Sequence, residues 1–197
     1  APQQEFIESG DPRVFVIQYL DQNRQYRQIS STAARSVSAA ETSPGNWKVE
    51  FRRLGDLDLD AEVTVRTASA DDATRWSITV HNRSGILITD VQFPLFIVRY
   101  NLGGQPGSEA LLQPYSVGRL LRAPQPPQMQ PDSQLAWQFR PENGDAGHYP
   151  GLTFAQFLAY YNDRAGIYVA CEDSSGAIKL IKPVHSGNGI RLGFAHV

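Results

Sequence analysis

The chain has 197 residues but one cysteine, one methionine and four histidines. A lone thiol cannot make an intrachain disulfide, so no covalent cross-link holds this fold and none fixes a redox compartment. Cys171 lies in the apolar run 166–171 and reads as a small buried hydrophobe. His81, His148, His185 and His196 stand too far apart in sequence for a metal-ligand pair of short spacing, so no metal is expected. No run of eighteen apolar residues exists, which leaves no helical membrane span. The N-terminus, Ala1-Pro2-Gln3-Gln4, has no basic region followed by an apolar one. Nor is there a block of lysine and arginine. With a formal net charge of −2 and scattered basic residues, a nucleic-acid partner is not expected, because counterion release needs a clustered basic surface.

Cofactor signatures are missing as well. Gly103-Gly104 lacks the neighbours of a dinucleotide fingerprint, and no phosphate loop or Gly-x-Ser-x-Gly elbow occurs. No cofactor is expected. Convincing amphipathic helices are absent too, which excludes a barrel of alternating strands and helices in this chain.

What is present is alternation. Apolar residues make up 41 % and charged residues 19 %, enough for a globular core at this length. Trp47-Lys48-Val49-Glu50-Phe51-Arg52 alternates apolar and polar, as do Leu57 to Arg66 and Arg75 to Asn82. That period places Trp47, Val49 and Phe51 on one face, and Trp76, Ile78 and Val80 on another inward face. Both tryptophans are therefore read as core. Asp56, Asp58, Asp60 and Glu62 fall on one strand face and read as solvated; a calcium site there lacks the glycine-containing loop. Further strands are read at 13–20, 25–31, 35–41, 86–96, 153–161, 165–171, 177–184 and 190–197, with turns at Asp21-Gln22-Asn23 and Glu172 to Gly176. Pro94 marks an edge or bulge. Residues 101–150, rich in Gly, Pro and Gln, read as irregular loops within one domain spanning 1–197. The pattern implies an all-β fold of antiparallel sheets with one face buried.

The strings Trp76-Ser77-Ile78-Thr79-Val80-His81-Asn82 and Ile88-Thr89-Asp90-Val91-Gln92-Phe93-Pro94 resemble a passage of galactose-mutarotase-like sandwiches. Tyr149-Pro150-Gly151, Phe154-Ala155-Gln156-Phe157, Ala165 to Ala170, Glu172-Asp173 and Gly176 to Lys179 resemble the N-terminal sandwich of a bacterial family of glycoside hydrolases, where a barrel follows. The resemblance covers about residues 47–197. It implies a two-sheet supersandwich and a non-catalytic module that supports a catalytic barrel of the same polypeptide. The chain ends within an apolar strand, in keeping with a domain that precedes such a barrel. A periplasmic or secreted setting is the expectation that goes with this context.

Glycoside hydrolysis needs two opposed carboxylates, and the adjacent Glu172 and Asp173 point to opposite strand faces, so they read as turn residues and no catalytic residue is assigned. Sugars stack on aromatic rings. Tyr115, Trp137, His148 and Tyr149, in or beside the irregular section, are the candidate carbohydrate-facing residues. Weak binding, on the order of millimolar, is expected of such a module. An aldose epimerase would instead require a histidine and a carboxylate converging on one sugar, with His81 and His148 as the candidates. A purely interacting sandwich would show an exposed apolar patch.

Overall fold

The structure, a computed structural model, describes residues 6–7, 11–67, 73–103, 105, 107–124, 130–131, 148–181, 183–187 and 189–197. It is an all-β sandwich of several antiparallel sheets, and no closed barrel occurs among the described residues. Contacts gather the chain into two compact units, Arg13–Thr89 and the combination of Ala1–Pro12 with Asp90–Val197.

The first unit begins with a hairpin of β1 (Val16–Leu20) and β2 (Tyr26–Ser30). Asp21 closes its turn as the sequence predicts. One carboxylate oxygen accepts the Asn23 and Gln25 backbone N–H groups, both at 2.9 Å, and the other accepts Arg27 Nε at 3.1 Å. A single 3-10 turn, Ser31–Ala33, leads to a four-stranded meander: β3 (Ala34–Ser43), β4 (Asn46–Leu54), β5 (Leu59–Thr67) and β6 (Thr74–Asn82). Gly45 makes the β3–β4 turn at φ +74°, and a Cβ there would collide with the Thr67 hydroxyl, so only glycine fits.

The alternation read from the sequence holds as a register. Trp47, Val65 and Trp76 form one row across β4, β5 and β6. Val49, Val63 and Ile78 form the next, and Phe51, Ala61 and Val80 the third. Cover reaches only part of this apolar face. Phe15, fully buried, meets the Phe51 ring edge-on at 5.1 Å, and Phe51, Ala61 and Val63 are buried. Trp47 and Trp76, at the other end, remain 44 % and 46 % exposed, which corrects their reading as core. Alternation assigns a face but not how far a neighbouring element extends over it.

The polar face also departs from expectation. Asp60 is buried, not solvated. Its carboxylate accepts the Arg53 backbone N–H at 2.8 Å, Arg83 at 2.7 Å and Arg52 at 3.1 Å. The acidic row therefore belongs to a ladder of mixed charge. Glu50 and Glu62 are direct cross-strand partners, and Lys48 relieves their repulsion by bridging them at 3.1 and 2.8 Å.

β7 (Leu87–Gln92) runs across the Thr89–Asp90 boundary, and the second unit holds β8 (Phe96–Arg99), β9 (Ala110–Gln113), β10 (Arg119–Arg122), β11 (Gln130–Pro131), β12 (His148–Tyr149), β13 (Phe157–Tyr161), β14 (Gly166–Ala170), β15 (Lys179–Ile181), β16 (Val184–Ser186), β17 (Gly189–Leu192) and β18 (Phe194–His196). The section read as irregular thus contributes β9 and β10, which pair in register, and β12. Pro94, in cis after Phe93, falls between β7 and β8 rather than within a strand. One sheet runs β10-β9-β13-β14. The neighbouring strands β8–β17–β16 and β7–β18–β15–β12 pair antiparallel, while β11 joins β16 in parallel. Val98, Leu111, Leu158, Tyr160, Ile181, Ile190 and Phe194 form their common core. Within it the Tyr160 hydroxyl donates to the Tyr100 carbonyl at 2.6 Å, and burial pushes that phenol well above its ordinary value.

Asp60 gives the first prediction. The Arg53 N–H, Arg83 and Arg52 lower its pKa from 3.8 to about 2. The folded state therefore favours the ionised form. The stabilisation is complete above about pH 4 and is lost as the pH falls toward 2. Asp60→Ala is expected to lower stability at pH 7 by about 2 kcal/mol. In urea unfolding the gap from the native chain should narrow at pH 3; an unchanged gap would remove the ionised carboxylate from this role.

Candidate functional site

The residues expected to face sugar divide into two kinds. Tyr115 is half-buried at the end of β9 and forms a bridge with Thr153. The Ser116 N–H donates to the Leu152 carbonyl at 2.6 Å, and the Phe154 N–H to the Pro114 carbonyl at 3.0 Å. Those bonds bring Tyr115 to the turn that follows His148 and Tyr149. The His148 ring lies over Gly151, where a Cβ would strike it, so the glycine admits the imidazole. Tyr149 instead packs against the core cluster. Trp137 lies outside the described residues.

Tyr149 is also one member of a cross-strand row that continues through Lys179 to His196. Lys179 is 1 % exposed and donates to the Asp173 carboxylate and, at 2.8 Å, to the Ala177 carbonyl. Asp173 also accepts the Ser175 N–H at 2.8 Å and the Ser175 hydroxyl at 2.6 Å. The Lys179 and Ser175 bonds hold its carboxyl far below the usual carboxylate range. Burial pushes His196 down and the Cys171 thiol up, so the histidine is kept neutral and the thiol protonated. This cluster pins the turn after β14 to the sheet. Its amine is sealed from solvent, and its thiol is not a poised nucleophile.

The epimerase arrangement finds little support in the Arg13–Thr89 unit. His81 is exposed and directly opposite Asp60 across β5 and β6. Yet that carboxylate, held at about 2 by its N–H and guanidinium partners, is poorly matched to proton exchange near neutral pH. Among the described residues no group of three or more His, Cys, Asp or Glu could hold a metal ion.

The surface with the most accessible chemistry is the outer face of the β10-β9-β13-β14 sheet. Leu158 and Tyr160 point into the core, so Phe157, Ala159 and Tyr161 point outward. Register aligns Leu120, Leu112, Ala159 and Tyr168 in one row, and Arg122, Ala110, Tyr161 and Gly166 in the next. Tyr168 is 67 % exposed and stacks on Phe157 with centroids 5.6 Å apart and planes 28° from parallel. Leu120, Tyr161 and Arg122 are exposed as well. The turn carrying Leu152 and Phe154, both exposed, adjoins the Phe157 end through the Phe154–Pro114 bond. This face is an aromatic platform that the sequence did not single out, and Tyr115, of the same strand parity as buried Leu111, is not aligned with its outward rows. Both parities of β13 are apolar, so no alternation marked which side faced water. Compared with models of known protein families and with curated proteins, the chain matches none.

Two substitutions separate platform from scaffold. Tyr168→Ala removes an exposed ring and is expected to cost less than about 1.5 kcal/mol. Lys179→Met leaves Asp173 without its cation and is expected to cost more stability than Tyr168→Ala. Thermal and urea denaturation of the two variants would check the order; a larger loss from Tyr168→Ala would make the platform part of the scaffold.

Proposed function

We propose that this chain is a non-catalytic β-sandwich module of a glycoside-hydrolase-type protein, and that it holds carbohydrate on the outer face of the β10-β9-β13-β14 sheet. The observation that carries this reading is the half-buried Phe157 stacked on the exposed Tyr168, on the face that also carries exposed Tyr161 and Arg122. A sugar ring presents C–H groups on its faces and hydroxyls around its edge. The rings offer the first an apolar bed, and the Tyr161 hydroxyl and Arg122 guanidinium offer donors for the second. The turn carrying Leu152 and Phe154, both exposed, extends the surface at the Phe157 end. The resemblance of residues 149–179 to the sandwich of a glycoside hydrolase family supports the same context, with a barrel of the same polypeptide as the catalytic partner. Acid–base chemistry within this chain finds no such support, because Asp60 and Asp173 are both committed to ion pairs.

An open platform of this kind holds ligand by a few contacts, and a dissociation constant on the order of 1 mM is expected. Amide NMR shifts recorded with plant and microbial oligosaccharides should move signals of 157–161 and 166–170, and Tyr168→Ala should abolish them. Unmoved spectra at about 10 mM sugar, or shifts that survive Tyr168→Ala, would overturn the reading.

A further inference from the structure

The Arg13–Thr89 unit carries a second aromatic surface, on different strands and of different geometry. We propose that the Trp47–Val65–Trp76 row of the β3–β6 sheet is a binding platform for an extended, neutral, β-linked polysaccharide chain. The two tryptophans occupy one cross-strand row with Val65 between them. They are therefore two strand spacings apart, about 10 Å. That distance is too long for both indoles to stack on one sugar ring. It suits alternate rings of an extended β-1,4-linked chain running across the strands, with the ring between them above Val65.

Exposure on this face is graded along the strands. Phe51, Ala61 and Val63 are buried, whereas Trp47 and Trp76 are nearly half exposed. Two large apolar side chains nearly half exposed to water cost solvation free energy that a flat apolar ligand would recover. The surrounding groups select the ligand. Thr67 and Thr74 are cross-strand partners in the adjoining row, both exposed, and Glu41 is the partner of Trp47 on β3. The Thr67 hydroxyl donates to the Gly45 carbonyl at 2.9 Å, which leaves its lone pairs as acceptors. One Glu41 oxygen accepts the Gly45 N–H at 2.9 Å and the other remains for a hydroxyl. Acceptors bordering flat rings match the equatorial hydroxyls and apolar faces of a glycan better than the all-apolar surface of a lipid. The Glu41 charge disfavours an anionic sugar.

Tryptophan fluorescence of the full chain, titrated with linear β-1,4-linked glucan and xylan hexasaccharides and with glucose, tests the proposal. A hexasaccharide is expected to shift the emission at concentrations where glucose does not. Trp47→Ala and Trp76→Ala should each weaken binding about ten-fold, and Tyr26→Ala, at an exposed ring on β2 outside both platforms, should leave it unchanged. Circular dichroism of the variants, with Trp47→Phe and Trp76→Phe retaining part of the affinity, separates lost stacking from lost folding. No emission shift, an equal shift with glucose, or a shift that persists in the double alanine variant would overturn the proposal. So would sedimentation showing a dimer that the double variant abolishes, because the row would then be covered by a second copy. The Tyr168 platform stands or falls separately, since its test reads amides of the other unit.

Discussion

An antiparallel sheet has two faces, and how far each is covered governs the rest of this molecule. With no disulfide available, stability rests on apolar side chains removed from water. In the unit built on β8–β18, the inner face of β10-β9-β13-β14 contributes Leu111, Leu158 and Tyr160 to a closed core. Its outer face is left with Phe157, Tyr161 and Tyr168. In the Arg13–Thr89 unit, Phe15 and its neighbours bury the Phe51 end of the meander, while the Trp47 and Trp76 end stays open. Both candidate binding surfaces are places where strand chemistry produced an apolar row and tertiary packing stopped short of it.

The buried charges follow a complementary logic. A charge taken out of water must be matched, and three of the buried charges here show how. Asp60 gathers two arginines and a backbone N–H; Lys179 takes Asp173 and a carbonyl; Arg191, 1 % exposed, pairs with Asp11. Such groups resemble catalytic machinery when read as a list of buried titratable side chains. Their partners consume the valences that chemistry would need, and so they serve the scaffold. The Lys179–Asp173 pair ties the turn after β14 to β15, close in sequence to the strand that displays Tyr168.

Both candidate surfaces are built from exposed rings. The two platforms differ in shape. Phe157 and Tyr168 stack on each other and present one compact bed, whereas Trp47 and Trp76 stand apart on either side of a valine. A compact bed suits a single ring or a chain end, and a split one suits a chain lying across strands.

Strand identity and facing were legible wherever polar and apolar residues alternated. Trp47 to Arg52, Leu57 to Arg66 and Arg75 to Asn82 became β4, β5 and β6 with the expected rows in register, and the Asp21 turn formed as its composition requires. Alternation is local, and a strand of period two carries its own facing. The short strands β9, β10 and β12 escaped, because four residues or fewer flanked by Gly and Pro hold too little period to read. The outward side of β13 escaped for the opposite reason, both of its faces being apolar. Burial of Asp60 and exposure of the two tryptophans depended on where other segments came to rest. By itself the sequence determined the all-β class, the meander and the faces. Which faces were covered, and hence which aromatics meet solvent, was decided only by tertiary packing, because cover comes from residues distant in the chain.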